Sequence, residues 1–197
     1  MFILKCSILL YCFFCAKLTF AKIELIQSDF GIEKCNSEKV EALDEKFYEK
    51  DCGGENLLPS VEWLDKNSST KSYAITITSR NHLNTIMVHF IAWNVPAYIN
   101  LINHSTKFEE INAITGLNSY NKKIYEGPCS NSIQNNEPSE CMKFTLYALK
   151  NEFIELSEDA DYYELMAYLK KMSRTEKIVV DSLSLSSLFI PKRRVSN

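Results

Sequence analysis

Residues 87–95, MVHFIAWNV, are apolar at almost every position, and the run holds one histidine, His89. A strand with one wet face alternates apolar and polar residues, whereas a strand apolar on both faces belongs inside a sheet covered on both sides. The run therefore predicts a central strand, with Met87, His89, Ile91 and Trp93 on one side of it. An imidazole in such a place is either a core residue hydrogen-bonded to a neighbour or the floor of a binding site.

Other segments carry a period of two. SYAITIT (72–78) sets Tyr73, Ile75 and Ile77 against Ala74, Thr76 and Thr78, and MKFTLYALK (142–150) alternates in the same way. IELIQ (23–27), LPSVEW (58–63) and KIVVDSLSL (177–185) read as further strands, and the charged stretch 36–50 as a short helix or a loop. One segment has helical period: Tyr162, Leu165, Met166, Leu169 and Met172 form a stripe within 159–172, with acids at its start and Lys170 and Lys171 near its end. Strands in majority with one late helix predict a mainly β fold, an antiparallel two-sheet β-sandwich with a peripheral C-terminal helix. No repeat or low-complexity linker divides the chain, so residues 22–190 are expected to be one domain, followed by a short basic tail at 191–197.

The first 21 residues, MFILKCSILLYCFFCAKLTFA, have the pattern of a signal peptide cut after Ala21: a basic Lys5, a short apolar centre from Ile8 to Ala16, and small residues at Thr19 and Ala21. The centre is short for a membrane span and Lys17 interrupts it, so no stable span is expected. Loss of Lys5 and Lys17 with this segment leaves 20 basic residues against 25 acidic, a net charge of −5, which does not suit a nucleic-acid binder. Cys35, Cys52, Cys129 and Cys141 remain, an even count that suits two disulfides in an exported chain. Locality favours Cys35–Cys52 with Cys129–Cys141, because both close short loops. Among the residues that remain after Ala21, no CxxC or HxxxH spacing suggests a metal site, and no cofactor is expected. NSS at Asn67 and NHS at Asn103 are candidate glycosylation sites in polar, loop-like stretches.

Six segments in order resemble the phosphatidylethanolamine-binding protein family, in particular its bacterial Raf-kinase-inhibitor-like branch: IELIQSDFG (23–31), CGGENLLPSVEW (52–63), TKSYAITIT (70–78), HFIAWNVPA (89–97), TGLNSYNKKIYEGPC (115–129) and KFTLYALK (143–150). The resemblance implies a two-sheet sandwich with a small pocket at one end that takes phosphate or phosphorylated head groups. It also implies a binding or regulatory protein, with small anionic or zwitterionic head groups or a protein as partner, in some members a kinase or protease, and no established enzyme activity. His89 falls on the family's first pocket histidine. Tyr125, Gly127 and Pro128 fall on its Gly-Tyr-x-Gly-Pro rim, and Asn118 on its Gly-x-Asn position. Cys52 and Cys129 match cysteines common in the bacterial branch, which implies Cys52–Cys129 with Cys35–Cys141; the local pairing is kept as the slightly favoured expectation.

The departures lie in the pocket. The family's Asp-Pro-Asp-Ala-Pro block is SRNHL here: Ser79 stands at the first Asp, Asn81 at the second and Leu83 at the last Pro. Glu140 replaces the second pocket histidine, and Met142 the tyrosine two residues on. A carboxylate beside a histidine favours the imidazolium, and Ser79 removes that help. A carboxylate at Glu140 repels an anion. Two like charges a few ångströms apart in a partly desolvated site cost a few kcal/mol, enough to cancel a millimolar affinity of about 4 kcal/mol. Anion binding is thus expected to be weak or lost. A pairing of Glu140 with His89 would instead favour a cationic or zwitterionic ligand such as an amine head group, and Arg80 or His82 swinging in would restore positive charge. A Cys129–His89 nucleophile pair requires a free thiol, and no G-x-S-x-G context supports a catalytic serine.

Overall fold

The computed structural model describes residues 22–80, 84–129 and 140–191. The expected signal segment, Asn81, His82 and Leu83, and most of the basic tail lie outside the described residues.

Among the described residues, eight strands form two antiparallel sheets. β1 (Ile23–Ser28), β2 (Val61–Asp65) and β5 (Leu101–Ile102) make a three-stranded sheet in the order β1-β2-β5. β3 (Ser72–Arg80), β4 (Ile86–Pro96), β6 (Ile114–Thr115), β7 (Glu140–Leu149) and β8 (Val179–Phe189) make a five-stranded sheet in the order β6-β4-β3-β7-β8. The larger sheet is covered on both faces, as the two-sided apolar pattern of β4 requires. On one face Tyr73, Ile75, Ile77, Phe90, Phe144 and Leu146 meet Val61, Trp63 and Ile102 of the smaller sheet. On the other, Ala74, Ile91, Trp93 and Leu149 meet Leu165 and Leu169 of helix α1 (Tyr162–Thr175).

Local chemistry sets the element ends. α1 begins and ends three residues later than the expected 159–172. Asp161 is its N-cap, accepting from the amides of Tyr163 and Glu164, while the Glu164 carboxylate accepts from the Asp161 amide. The acidic start is therefore a capping box, worth about 1 kcal/mol. The stretch 36–50 holds one 3-10 turn, Glu45–Phe47, and leads into a second, Lys50–Cys52.

The alternation expected for β4 fails at His89. Register with β3 runs from Ile77↔Phe90 directly to Thr78↔Val88, so His89 is the extra residue of a β-bulge. Val88 joins Ile91 and Trp93 under the helix, whereas Met87, opposite Ser79, and the His89 ring turn to the sandwich side. A run apolar on both sides gives a bulge no mark in the sequence.

The disulfides are Cys35–Cys141 and Cys52–Cys129, with Cα atoms 5.7 and 5.5 Å apart, which corrects the local pairing. Sheet neighbours decide it. Cys141 lies opposite Leu188 in the β7–β8 ladder, and residues 31–43 run along the outer edge of β8, where Leu43 donates to Leu188 and Ser186 to Gly31. Cys35 is thus carried to the start of β7. Pro128 accepts from the Glu49 amide, which brings Cys129 to Cys52. A proteolytic map of unreduced protein should return these two linked peptide pairs; recovery of Cys35–Cys52 would overturn the arrangement. Replacing Cys35 and Cys141 by serine should lower unfolding free energy by about 2–4 kcal/mol in a denaturant titration, since the closed loop is long.

Candidate functional site

Three strand ends converge at one end of the sandwich. Ser79, near the end of β3, lies between Met87 of β4 and Met142 of β7. Glu140 opens β7 two residues before Met142 and so shares its face. The bulge turns His89 into the same space. Ser79, His89 and Met142 are 1%, 2% and 0% exposed, so this is interior rather than an open cleft.

Every hydrogen-bonding atom of the His89 ring is used. Nδ1 lies 2.7 Å from the carbonyl oxygen of Glu126, so it carries the hydrogen and donates. Nε2 is then the acceptor, 3.0 Å from Ser79 Oγ. Ser79 Oγ also lies 3.1 Å from Glu140 Oε2. One hydroxyl hydrogen thus serves two acceptors, the imidazole and the carboxylate. Burial, opposed by the bond to the Glu126 carbonyl, lowers the His89 pKa from 6.5 to about 4, so the ring is neutral near pH 7.

The segment 117–128 fixes that ring. Asn118 orders it from within: Oδ1 accepts from the amides of Tyr120 and Lys122, and Nδ2 donates to the Ile124 carbonyl. The segment is laid along β4 by Val88 N–Ser119 Oγ, 2.8 Å, and by the Glu126 amide on the His89 carbonyl, 3.0 Å. Glu126 therefore holds His89 by its ring and by its backbone. Gly127 passes against Phe47 and Glu49 so closely that an added Cβ would stand 2.6 Å from the Glu49 nitrogen. Tyr125 is buried, its hydroxyl donating to the Phe47 carbonyl, 2.9 Å.

Residues that sequence reasoning passed over complete the site. Asn56, in the left-handed region at φ 58°, accepts from the Gly127 amide at 2.7 Å and donates to the Tyr125 carbonyl and Glu126 Oε2, both at 3.2 Å. It stands in CGGEN, within a segment already singled out, and Glu126 is the variable residue inside the rim motif. Glu126 also pairs with Lys122 Nζ. The Tyr120 ring centroid lies 6.5 Å from that of His89, and its hydroxyl pKa is raised by burial and then by the charges of Glu49, Glu126 and Glu140. Three carboxylates therefore act on this end of the sandwich.

Other expected roles sort plainly. Arg80 is engaged with Asn84, donating to its carbonyl and to Oδ1, 3.3 and 3.0 Å, rather than turned toward His89. Cys129 is bonded to Cys52 and offers no thiol to an imidazole. No metal-ligating cluster occurs among the described residues. A groove of about 430 Å³ lies beside the closed site, with Leu57, Leu58, Phe90, Phe108, Ile124 and Tyr125 among its lining.

The sequence of residues 35–180 matches the phosphatidylethanolamine-binding protein family. The chain belongs to that family. The structure is similar to the crystal structure of Escherichia coli YbcL, described as a new member of the mammalian PEBP family, with a TM-score of 0.70 at 17% identity, covering 87% of this chain and 100% of YbcL. At that identity the likeness speaks for the fold. No curated protein matches the chain. Within the PEBP frame, the segments that build the site are present, and the donors at its centre are bonded to the protein itself.

Two outcomes are expected from this geometry. The unfolded chain takes up a proton near pH 6.5 that native His89 refuses until about pH 4. Stability supplied by the neutral ring is thus full above pH 6.5 and falls as pH drops toward 4, by roughly 3 kcal/mol at most. Denaturant titrations across this range should show the slope in the native protein, and its absence in His89→Gln. Asn56→Ala, which orphans the Gly127 amide, should cost about 1–3 kcal/mol in the same measurement.

Proposed function

We propose that this PEBP-family chain is an exported, non-enzymatic binding protein whose ancestral anion pocket is closed by its own carboxylate. The observation that carries this reading is the chain Glu126 carbonyl–His89–Ser79–Glu140. A phosphate needs donors, and here the Nδ1 hydrogen and the Ser79 hydroxyl are already committed. Glu140 stands at the end of the chain as an internal anion. An incoming phosphate would have to break these bonds and lie beside Glu140, at a cost comparable to the whole of a millimolar affinity. Catalysis is disfavoured on the same ground: the imidazole is neutral, enclosed and bonded at both nitrogens. Export is supported by the apolar, lysine-bearing first 21 residues and by the two cross-links.

Glu49, Glu126 and Glu140 around Tyr120 favour a second reading, in which a small ammonium-bearing head group is the ligand. Calorimetric titration separates the two. Inorganic phosphate and phosphoethanolamine should give no saturable heat up to about ten millimolar, and saturable heat with ethanolamine would favour the second reading. Ser79→Asp with Glu140→His restores the family pattern and should gain phosphate binding by at least about tenfold. Micromolar phosphate binding by the native protein that vanishes in His89→Ala would overturn the proposal.

A further inference from the structure

Two surface turns, far apart in the sequence, share one local geometry. Asn67 follows β2 and Asn103 follows β5. Each begins a turn closed by an amide three residues on, Thr70 to the Asn67 carbonyl at 3.1 Å and Thr106 to the Asn103 carbonyl at 3.0 Å. In each the side-chain Oδ1 accepts from the amide two residues on, Ser69 at 3.0 Å and Ser105 at 2.8 Å. At Asn67 the Ser69 hydroxyl also donates to Oδ1, at 2.6 Å. Both carboxamide oxygens are thus held, while neither Nδ2 has a hydrogen-bond partner among the described residues. The contrast is with Asn56, Asn94 and Asn118, whose Nδ2 groups are tied to backbone carbonyls. Ser68, Ser69, His104 and Ser105 are exposed. Each of the two asparagines heads an Asn-x-Ser tripeptide.

We infer that Asn67 and Asn103 are both attachment sites for N-linked glycans, an inference that rests on the export reading above. The contacts that shape each tripeptide span two or three residues, so they are open to the chain before the sandwich closes. After it closes, both turns stay at the surface and tolerate a bulky substituent. In the transfer, Nδ2 bonds to the anomeric carbon of a lipid-diphosphate-linked oligosaccharide. The bond from that carbon to the diphosphate oxygen breaks, the lipid diphosphate leaves, and the nitrogen gives up one proton to base.

The two sites differ in what they cover. Asn103 lines the rim of the 430 Å³ groove together with His104, Thr106 and Leu57, and 59%-exposed Ile124 borders the same space. A glycan on Asn103 stands over this apolar floor, and one on Asn67 does not.

The test uses the full chain made in cultured eukaryotic cells and collected from the medium, weighed before and after an amidase that frees N-glycans and leaves aspartate. Two glycans are expected. Ser69→Ala and Ser105→Ala keep the asparagine and the backbone turn but break the tripeptide, and each should remove one glycan; Ser69→Thr and Ser105→Thr should retain both. Binding of an apolar fluorescent dye should rise in Ser105→Ala and not in Ser69→Ala; equal uptake would remove the covering role of Asn103. Secreted, cross-linked protein with the mass of the bare chain would overturn the inference and leave export standing. Protein that stays in the cytosol with free thiols would instead sink export. The same chain behind an unrelated secretion leader then decides the glycan question alone, where a bare mass again overturns it.

Discussion

His89 has no register partner in β3, and the arrangement of this end of the sandwich follows from that one extra residue. Without it, the imidazole would keep the alternation of Ile91 and Trp93 and press on the helix. With it, the ring enters the sandwich interior, where an unpaired polar nitrogen costs a few kcal/mol. Both nitrogens must then find partners, and each partner imposes a position on a different segment. Nδ1 draws the Glu126 backbone against β4, and Nε2 draws the Ser79 hydroxyl, which meets the Glu140 carboxylate. Rim, floor and β7 entry are thereby tied through one ring.

The supports beyond that ring work by crowding and by covalent closure. Asn56 and Gly127 lock the rim to the turn at 47–49, and Cys52–Cys129 bonds the same two stretches. Cys35–Cys141 pins the entry of β7 next to Glu140. The segments that carry Glu49, Glu126 and Glu140 are thus held from outside the site, so the mutual repulsion of their charges has little freedom to part them. An end of the sandwich assembled this way has little freedom to rearrange.

How far the residues alone reach can be followed element by element. β3 and β7 were legible because their faces differ, and the two-sided apolarity of β4 gave its central place. The bulge was not legible, because an apolar run carries no phase against which a skipped residue shows. Nor was the cross-linking: Cys35 and Cys141 are 106 residues apart, and only the β7–β8 ladder with the strap on its edge makes them neighbours. Ser79 and Glu140 were singled out through resemblance to family positions, but their contact depends on the register of strands 61 residues apart. Asn56 was missed because its role belongs to a backbone conformation, φ 58°, that its identity only permits.

The strap along β8 has a bearing on how the protein behaves in company. An eleven-residue border strand presents a row of main-chain groups that another chain can copy, the usual beginning of sheet-to-sheet polymerisation. Here the amides of Ser186 and Leu188 already donate to Gly31 and Glu41, and Asp181 takes the Ile23 and Ser182 amides farther along. The chain occupies its own most imitable margin, and a sulfur bond beside it keeps that occupant from drifting away.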